Sequence, residues 1–273
     1  MAEAEGLDRL GESHVLRRTL AFKKRLAEGG VAIGAWLSLT DPVAAEILGS
    51  TGFDYLIIDT EHGAWDLQPL QTAIMALNGT DTVPIVRAPW NDHVRIKQLL
   101  DLGVEGILAP MVRTVEECRD LVAACRYPPV GRRGFGPRRA SNYYRDIKTY
   151  EARANEAIFV MPQIEDIATL DVLDDFLDVP GIDAVAVGPN DMSGTAGLFR
   201  NANHPTILAA IDTIAAKASA RGIPVCLGVN TPPQQQRAWV AKGVRLLLVT
   251  SDLELLAGGA RTSLNANREA LKG

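Results

Sequence analysis

The feature that most limits the fold of this chain is an eightfold alternation of short apolar runs with longer amphipathic stretches. The apolar runs cover 32–39, 55–61, 82–89, 106–111, 158–165, 183–189, 224–230 and 244–252. Each run has the length of a strand, and the stretch after it carries the apolar spacing of a helix. Runs that are apolar on both faces are typical of parallel strands buried beneath helices. Eight such units in about 250 residues predict an α/β fold, a single closed (β/α)8 TIM barrel.

Glycines mark the ends of most of these helical stretches, as expected for residues that close a helix in the left-handed conformation. They are Gly52, Gly79, Gly103, Gly222 and Gly243. A doubly wound open sheet is the alternative fold, but the first βα junction lacks the glycine-rich turn usual there. Residues 16–30 predict an additional N-terminal helix that caps the bottom of the barrel. We treat 1–273 as one domain and expect 1–14 to be flexible.

One segment interrupts the alternation between the fourth helix and the fifth strand. Residues 128–157 are basic and rich in glycine, and they contain no apolar strand run. A connection of this length inside a compact domain is usually functional or disordered. We therefore expect a long loop there.

Composition excludes several classes of function. The net charge of −5 disfavours nucleic acid as a partner, because a phosphate-binding surface needs an excess of basic residues. No apolar run approaches the ~20 residues of a membrane span, and the polar N-terminus lacks the apolar core of a signal peptide. Cys118, Cys125 and Cys226 have no metal-ligand spacing. These observations predict a cytoplasmic protein with reduced, partly buried thiols.

Two carboxylates follow neighbouring strands of the predicted barrel. Glu165 stands at the end of the fifth strand, and Asp191 follows the sixth. Barrel enzymes place their chemistry at the C-terminal ends of the strands, so these side chains can converge. Two carboxylates with open positions suit a hard cation such as Mg²⁺ or Mn²⁺. The alternative is that each caps the helix that follows it.

His62 follows the second strand and is a candidate base, because imidazole titrates near neutral pH. Asp59 or Asp101 could orient its ring and fix its tautomer. The alternative is a structural histidine. No lysine follows a strand on the catalytic side, since Lys242 precedes the eighth strand. We therefore expect no Schiff-base chemistry.

Arg87 ends the third strand, where a positive charge is costly unless it has a partner. An anionic substrate or a developing enolate is one such partner. A salt bridge to Glu61 or Glu165 is the alternative. The sequence GPND at 188–191 opens the loop after the sixth strand, and its backbone amides could receive a carboxylate.

Together these residues resemble one known family. The segments that carry the resemblance are IIDTEHG (57–63), PIVRAPWND (84–92), LLDLGVEGILAPMV (99–112), RYPPVGRRGFGPRRA (126–140), QIED (163–166), PGIDAVAVGPNDMS (180–193) and HP (204–205). In this order, between about residues 30 and 255, they are similar to the HpcH/HpaI family of metal-dependent, class II pyruvate aldolases. These enzymes form or cleave 4-hydroxy-2-oxo acids.

The resemblance implies a function and an assembly. The chain would join pyruvate, or a close analogue such as hydroxypyruvate, to an aldehyde through a metal-stabilised enolate. It would use Mg²⁺, Mn²⁺ or Co²⁺ and no organic cofactor. It would form a homohexamer, a trimer of dimers that exchange their last helix. A citrate-lyase-β-like thioester lyase and a non-catalytic barrel that only binds a keto-acid are the alternatives.

The resemblance also implies roles for named residues. Glu165 and Asp191 would bind the metal, and His62 would be the base of a dyad with a nearby aspartate. Arg87 would stabilise the enolate. The remaining substrate-binding residues would be Gln163, Gly188, Pro189 and Asn190, together with Asp191. Three positions depart from the family pattern and bear on the choice of aldehyde. They are Asn190, Met192 and Asn230.

Overall fold

The computed structural model describes residues 15–272, and within them eight strands form one closed parallel barrel in sequence order. The strands are β1 (Ala32–Leu37), β2 (Tyr55–Asp59), β3 (Val83–Arg87), β4 (Gly106–Ala109), β5 (Phe159–Ile164), β6 (Val185–Val187), β7 (Val225–Leu227) and β8 (Val244–Ser251). Each lies within its predicted apolar run and is shorter than that run. The barrel closes because β1 pairs with both β2 and β8. The predicted TIM barrel is confirmed.

Helices surround this barrel. They are α1 (Arg17–Ala27), α2 (Pro42–Thr51), α3 (Leu67–Ala76), α4 (His93–Asp101), α5 (Val115–Cys125), α6 (Ile147–Ala157), α7 (Leu173–Leu177), α8 (Pro189–Thr195), α9 (Pro205–Ala220), α10 (Pro233–Ala241) and α11 (Asp252–Ala270), with a 3-10 helix at Ile167–Val172. The five helix-ending glycines all have positive φ, for example 101° at Gly243. None of the helices within residues 15–272 is both long and apolar enough to cross a membrane.

The N-terminal helix α1 closes the bottom of the barrel, as predicted. Phe22 of α1 packs its ring against those of Tyr55 and Phe159, with centroids 5.8 and 5.4 Å apart. These rings belong to the apolar cluster that fills the barrel interior. A second, larger cluster lies between the strands and the outer helices. The interior is therefore a packed core that is filled at this end. The segment 1–14, expected to be flexible, lies outside the described residues.

The segment 128–157 is only partly a loop, so the prediction of one long loop was wrong. Its last eleven residues form α6, whose Tyr150 and Ala154 are buried against the core. Its first half folds back on the bottom of the barrel. There the buried guanidinium of Arg133 donates to Asp101 (2.8 Å) and Tyr150 (2.9 Å) and lies 4.5 Å from the ring centroid of Tyr127. The arginine therefore has a structural partner within the fold.

This ion pair bears on the candidate role of Asp101 as a partner of His62. The residue ends α4 at the bottom of the barrel, whereas His62 follows β2 at the top. The carboxylate of Asp101 is bound by Arg133 at the bottom. Asp101 therefore cannot orient the ring of His62 in its own chain. The sequence showed an aspartate at a helix end but not that the following loop would return an arginine to it.

The three cysteines provide a test of this packing. Cys118, Cys125 and Cys226 are free and buried, and burial raises the pKa of each thiol to about 12. A buried thiol that stays protonated is a poor nucleophile. We expect no reaction of the native protein with a disulfide reagent such as DTNB at pH 8. After denaturation in guanidinium, three thiols per chain should react. Rapid reaction of even one thiol in the native protein would contradict the described core.

Candidate active site

The strand ends meet around a cavity of about 260 Å³ at the top of the barrel. Its lining residues are Trp36, Ser38, Asp59, His62, Arg87, Gln163, Gly188, Pro189, Asn190, Asp191, Gly228, Val229 and Ser251. Every substrate-binding candidate from the sequence therefore lies on this one cavity. Their meeting follows from barrel closure, because residues at the ends of different strands all face the same opening.

Arg87 is held on three sides. Its Nε and one Nη donate to the two carboxylate oxygens of Asp59 at 2.8 and 2.6 Å, and the two residues are paired between β2 and β3. A second Nη lies 3.2 Å from an oxygen of Glu61, at ion-pair distance but without hydrogen-bond alignment. The guanidinium also lies 4.6 Å from the ring centroid of Trp36. Arg87 is thus a fixed cation at the cavity wall.

Asp59 binds this arginine, and among the described residues its carboxylate makes no hydrogen bond to the ring of His62. Besides Arg87, one oxygen of Asp59 accepts the backbone N–H groups of Glu61 and His62. Burial alone would raise the pKa of Asp59, but the bonds and charge of Arg87 hold it below its ordinary value. Asp59 therefore stays ionised and positions the turn that carries His62.

The ring of His62 reaches into solvent at the mouth of the cavity. Its side chain is 67% exposed, and its Nε2 lies 3.9 Å from an oxygen of Glu61. That distance is too long for a hydrogen bond. His62 thus lies where a base could reach a bound donor, and its ring is free to turn.

Glu165 lies below the cavity, only 2% exposed. One of its oxygens accepts the backbone N–H of Met111 and the other accepts the side-chain amide of Gln163, both at 2.6 Å. Gly188 allows this arrangement, because a Cβ there would lie 2.6 Å from Glu165 and 2.7 Å from Gln163. Sequence reasoning did not find the contribution of Met111, which comes from its backbone.

Burial raises the pKa of Glu165 to about 7. The bond from Met111 opposes this shift, while the negative charges of Asp191 and Glu61 add to it. Burial likewise raises the pKa of Glu61, despite Arg87. The site thus concentrates more carboxylate charge than its one arginine balances.

This arrangement fits a divalent cation. Glu165 and Asp191 supply hard oxygen donors whose mutual repulsion a cation would relieve. The side-chain oxygen Oε1 of Gln163 is buried and has no hydrogen-bond partner, so a third oxygen is available to a cation. Within residues 15–272 no group of three or more His, Cys, Asp or Glu side chains is arranged to hold a metal. A cation here would therefore complete its coordination with water or substrate, as Mg²⁺ usually does.

Trp36, Ser38 and Val229 line the cavity without having been predicted. Trp36 belongs to β1 and faces the barrel interior, where it looks like an ordinary core residue in the sequence. The signal that could have found it is the alternation along β1, which puts Trp36 and Ser38 on the same side near the strand end.

Comparisons with known proteins agree with this geometry. The model of the HpcH/HpaI aldolase/citrate lyase family matches residues 32–258. The 4-hydroxy-2-oxo-heptane-1,7-dioate aldolase of Salmonella paratyphi C is 42% identical over 88% of this chain and 91% of its own length. The 5-keto-4-deoxy-D-glucarate aldolase of Shigella dysenteriae is 39% identical over 85% and 90%. A Burkholderia cenocepacia structure of the same family has a TM-score of 0.86 at 28% identity, covering 91% of this chain and 99% of that one.

The raised pKa of Glu165 predicts that ionisation of this carboxyl group lowers the stability of the metal-free protein. Its ordinary value is 4.5 and its value in the fold is about 7, so the folded state binds an extra proton between these values. Stability of the metal-free protein should therefore fall as pH rises through this window and stay low above it. Glu165→Gln should be more stable than wild type at pH 8, by up to about 3 kcal/mol.

Thermal melts in a chelator between pH 5 and pH 8 measure this effect. Glu116→Gln, at an exposed position on α5, is the control and should follow wild type. Equal or lower stability of Glu165→Gln at pH 8 would show that the charge of Glu165 is not a burden to the fold.

Proposed function

This chain belongs to the HpcH/HpaI aldolase/citrate lyase family, and on that basis we propose that it is a divalent-metal-dependent aldolase that forms or cleaves a 4-hydroxy-2-oxo acid. The products of cleavage would be pyruvate, or a close analogue such as hydroxypyruvate, and an aldehyde. The observation that carries the proposal is a pair of carboxylates beside a fixed Arg87, with Asp191 lining the small cavity and Glu165 buried below it.

The donor keto-acid would occupy the charged side of the cavity. Glu165 and Asp191 would hold a divalent cation, which would supply Lewis acidity for forming the enolate of the donor. The backbone around Gly188 and Asn190 would hold the donor carboxylate, and Gln163 would contact the donor beside it. Arg87, which Asp59 keeps in place, would stabilise the negative charge of the enolate oxygen.

His62 would move the proton. In the synthesis direction its ring would take a proton from the donor methyl group, and the resulting enolate carbon would attack the aldehyde carbon. The new C–C bond leaves negative charge on the former aldehyde oxygen, which would take a proton back from the protonated ring of His62, directly or through water, to become the 4-hydroxyl. Cleavage reverses these steps. A positioned base of this kind is worth about 10²–10⁴-fold in rate.

A citrate-lyase-like thioester reaction is less well supported. Coenzyme A would need a basic binding surface, and the tract 132–139 was the only candidate in the sequence. Arg132 pairs with Asp120, Arg133 is buried, and Arg139 donates to the backbone of Leu102. Three of the four arginines of this tract are therefore engaged within the fold. Both curated relatives reported above are named as aldolases.

The last helix supports an oligomer. Leu253, Leu255, Leu256 and Leu264 of α11 are between 49% and 64% exposed. Outward-facing Ile33 of β1, next to β8 in the barrel, is 42% exposed. Exposed apolar side chains in such number mark an interaction surface. We propose that α11 packs on the barrel of a second copy, and that such dimers assemble into a homohexamer.

The function predicts a dependence on metal and on Asp191. Wild type should catalyse exchange of the methyl protons of pyruvate with solvent, and aldol addition, only when Mg²⁺ or Mn²⁺ is present. Asp191→Ala should lose both activities and keep its fold, because this side chain is exposed at the cavity mouth. Proton NMR in D₂O measures the exchange. Asp171→Ala, at an exposed position on the 3-10 helix, should behave as wild type. Full metal-dependent exchange by Asp191→Ala would refute the two-carboxylate site.

The proposed exchange of α11 predicts an assembly that depends on its leucines. Wild type should elute as a multiple of a dimer in size-exclusion chromatography with light scattering. Leu256→Asp should shift the mass toward the monomer, because a charge cannot be buried there without a partner. Ser263→Asp adds the same charge at a polar position of the helix and serves as the control. A monomeric wild type would rule out the exchanged helix.

A further inference from the structure

The wall of the cavity is divided into two halves of different chemistry. Strands β2, β3, β5 and β6 lead to its charged residues. The other half comes from β7, β8 and β1, which are neighbours in the closed barrel. Its lining residues are Gly228, Val229, Ser251, Trp36 and Ser38. This second half, which we name the neutral wall, contains no charged side chain among those lining the cavity.

The neutral wall offers hydroxyl groups that the fold leaves available. Ser251 pairs with Trp36 between β8 and β1, and its Oγ accepts the backbone N–H of Glu254. That bond uses the oxygen as an acceptor and leaves the O–H free to donate. The backbone N–H of Ser38 is held by Asp252 at 2.9 Å, whereas its hydroxyl bonds to none of the described residues. Both serines are therefore placed by other bonds and can bind a ligand.

Asn190 adds an amide at the edge of this wall. It stands in the first turn of α8, lines the cavity and is exposed. Its backbone oxygen accepts from Ser193, which fixes the main chain and leaves the side chain to a ligand. An amide both donates and accepts, so it suits a hydroxyl as partner.

The charges of the cavity argue against a second carboxylate on the ligand. Arg87 is the one permanently cationic side chain among the described residues of the lining, and Asp59 and Glu61 already surround it. Behind the neutral wall stand Asp252, which is buried, and Glu254, which is bonded to Asn230. A carboxylate on this side would meet negative charge and find no cationic side chain among the described residues that line the neutral wall.

We propose that the neutral wall is the acceptor subsite, and that it selects a short, uncharged, hydroxylated aldehyde. This inference rests on the proposed aldolase function and names its second substrate class. The aldehyde carbon would face the donor, and its hydroxyl groups would bond to Ser38, Ser251 and Asn190. The cavity of about 260 Å³ is small and suits a donor and acceptor of only a few carbons each. Both curated relatives are instead named for diacids.

Three aldehydes test separately whether the site prefers an acceptor with hydroxyl groups, with a plain alkyl chain or with a carboxylate. With pyruvate saturating and Mg²⁺ present, D-glyceraldehyde is hydroxylated and uncharged, propanal lacks the hydroxyls, and succinic semialdehyde carries a carboxylate. We expect kcat/KM for glyceraldehyde to exceed both others by about tenfold or more, as for a site with one or two specific hydrogen bonds. A preference for propanal or for succinic semialdehyde would overturn the inference.

Variants locate the selectivity. Ser38→Ala and Asn190→Ala should each reduce the ratio of kcat/KM for glyceraldehyde to that for propanal by about three- to tenfold. Ser50→Ala, on the outer helix α2, is the matched control and should keep the wild-type ratio. An unchanged ratio in both site variants would overturn the inference.

The measurements distinguish a failure of the proposed function from a failure of this inference. A wild-type protein that neither exchanges pyruvate methyl protons nor adds pyruvate to any of the three aldehydes would refute both. Normal exchange with the wrong acceptor preference would refute the acceptor subsite alone.

Discussion

The pairing of β1 with β8 is the constraint on which the rest of the molecule depends. Because the sheet closes on itself, residues separated by more than two hundred positions in the sequence, such as Trp36 and Ser251, share one opening. The bottom of the barrel is closed by α1 and its aromatic contacts. The cavity therefore lies at the top, where seven of the eight strands lead to at least one lining residue.

The electrostatic interactions among the carboxylates at that opening are unfavourable. Carboxylates of Glu61, Glu165 and Asp191 repel one another, and burial adds to the cost. Arg87 offsets this repulsion only in part, because both oxygens of Asp59 already bind it and Glu61 is its second carboxylate neighbour. Such a cluster is hard to explain as a device for stability and is typical of functional sites. A cation would turn the same repulsion into coordination.

The fold was predictable because local sequence patterns mark all eight strands and most of the helices. An apolar run recurs in every unit and a helix-ending glycine in most of them, and Glu165, Asp191 and Arg87 follow from their places at strand ends. Partners were not predictable in the same way. Asp59 and Asp101 each follow an apolar segment and look alike in sequence, yet one binds Arg87 at the top and the other Arg133 at the bottom. That difference depends on long-range geometry. The helix α6 was missed because its face against the core carries only Tyr150 and small alanines.

The division of the cavity wall has a consequence for how such a protein can diverge. On the charged half, Gly188 leaves no room even for a methyl group, so a single change there disturbs Glu165 and Gln163 together. On the neutral wall, Ser38 and Val229 make none of the hydrogen bonds that hold Asp59 and Glu165. Mutations can therefore accumulate on one half while the other is held constant. Proteins descended from this barrel could keep one donor and change the acceptor. The reaction would then be conserved while its product varies.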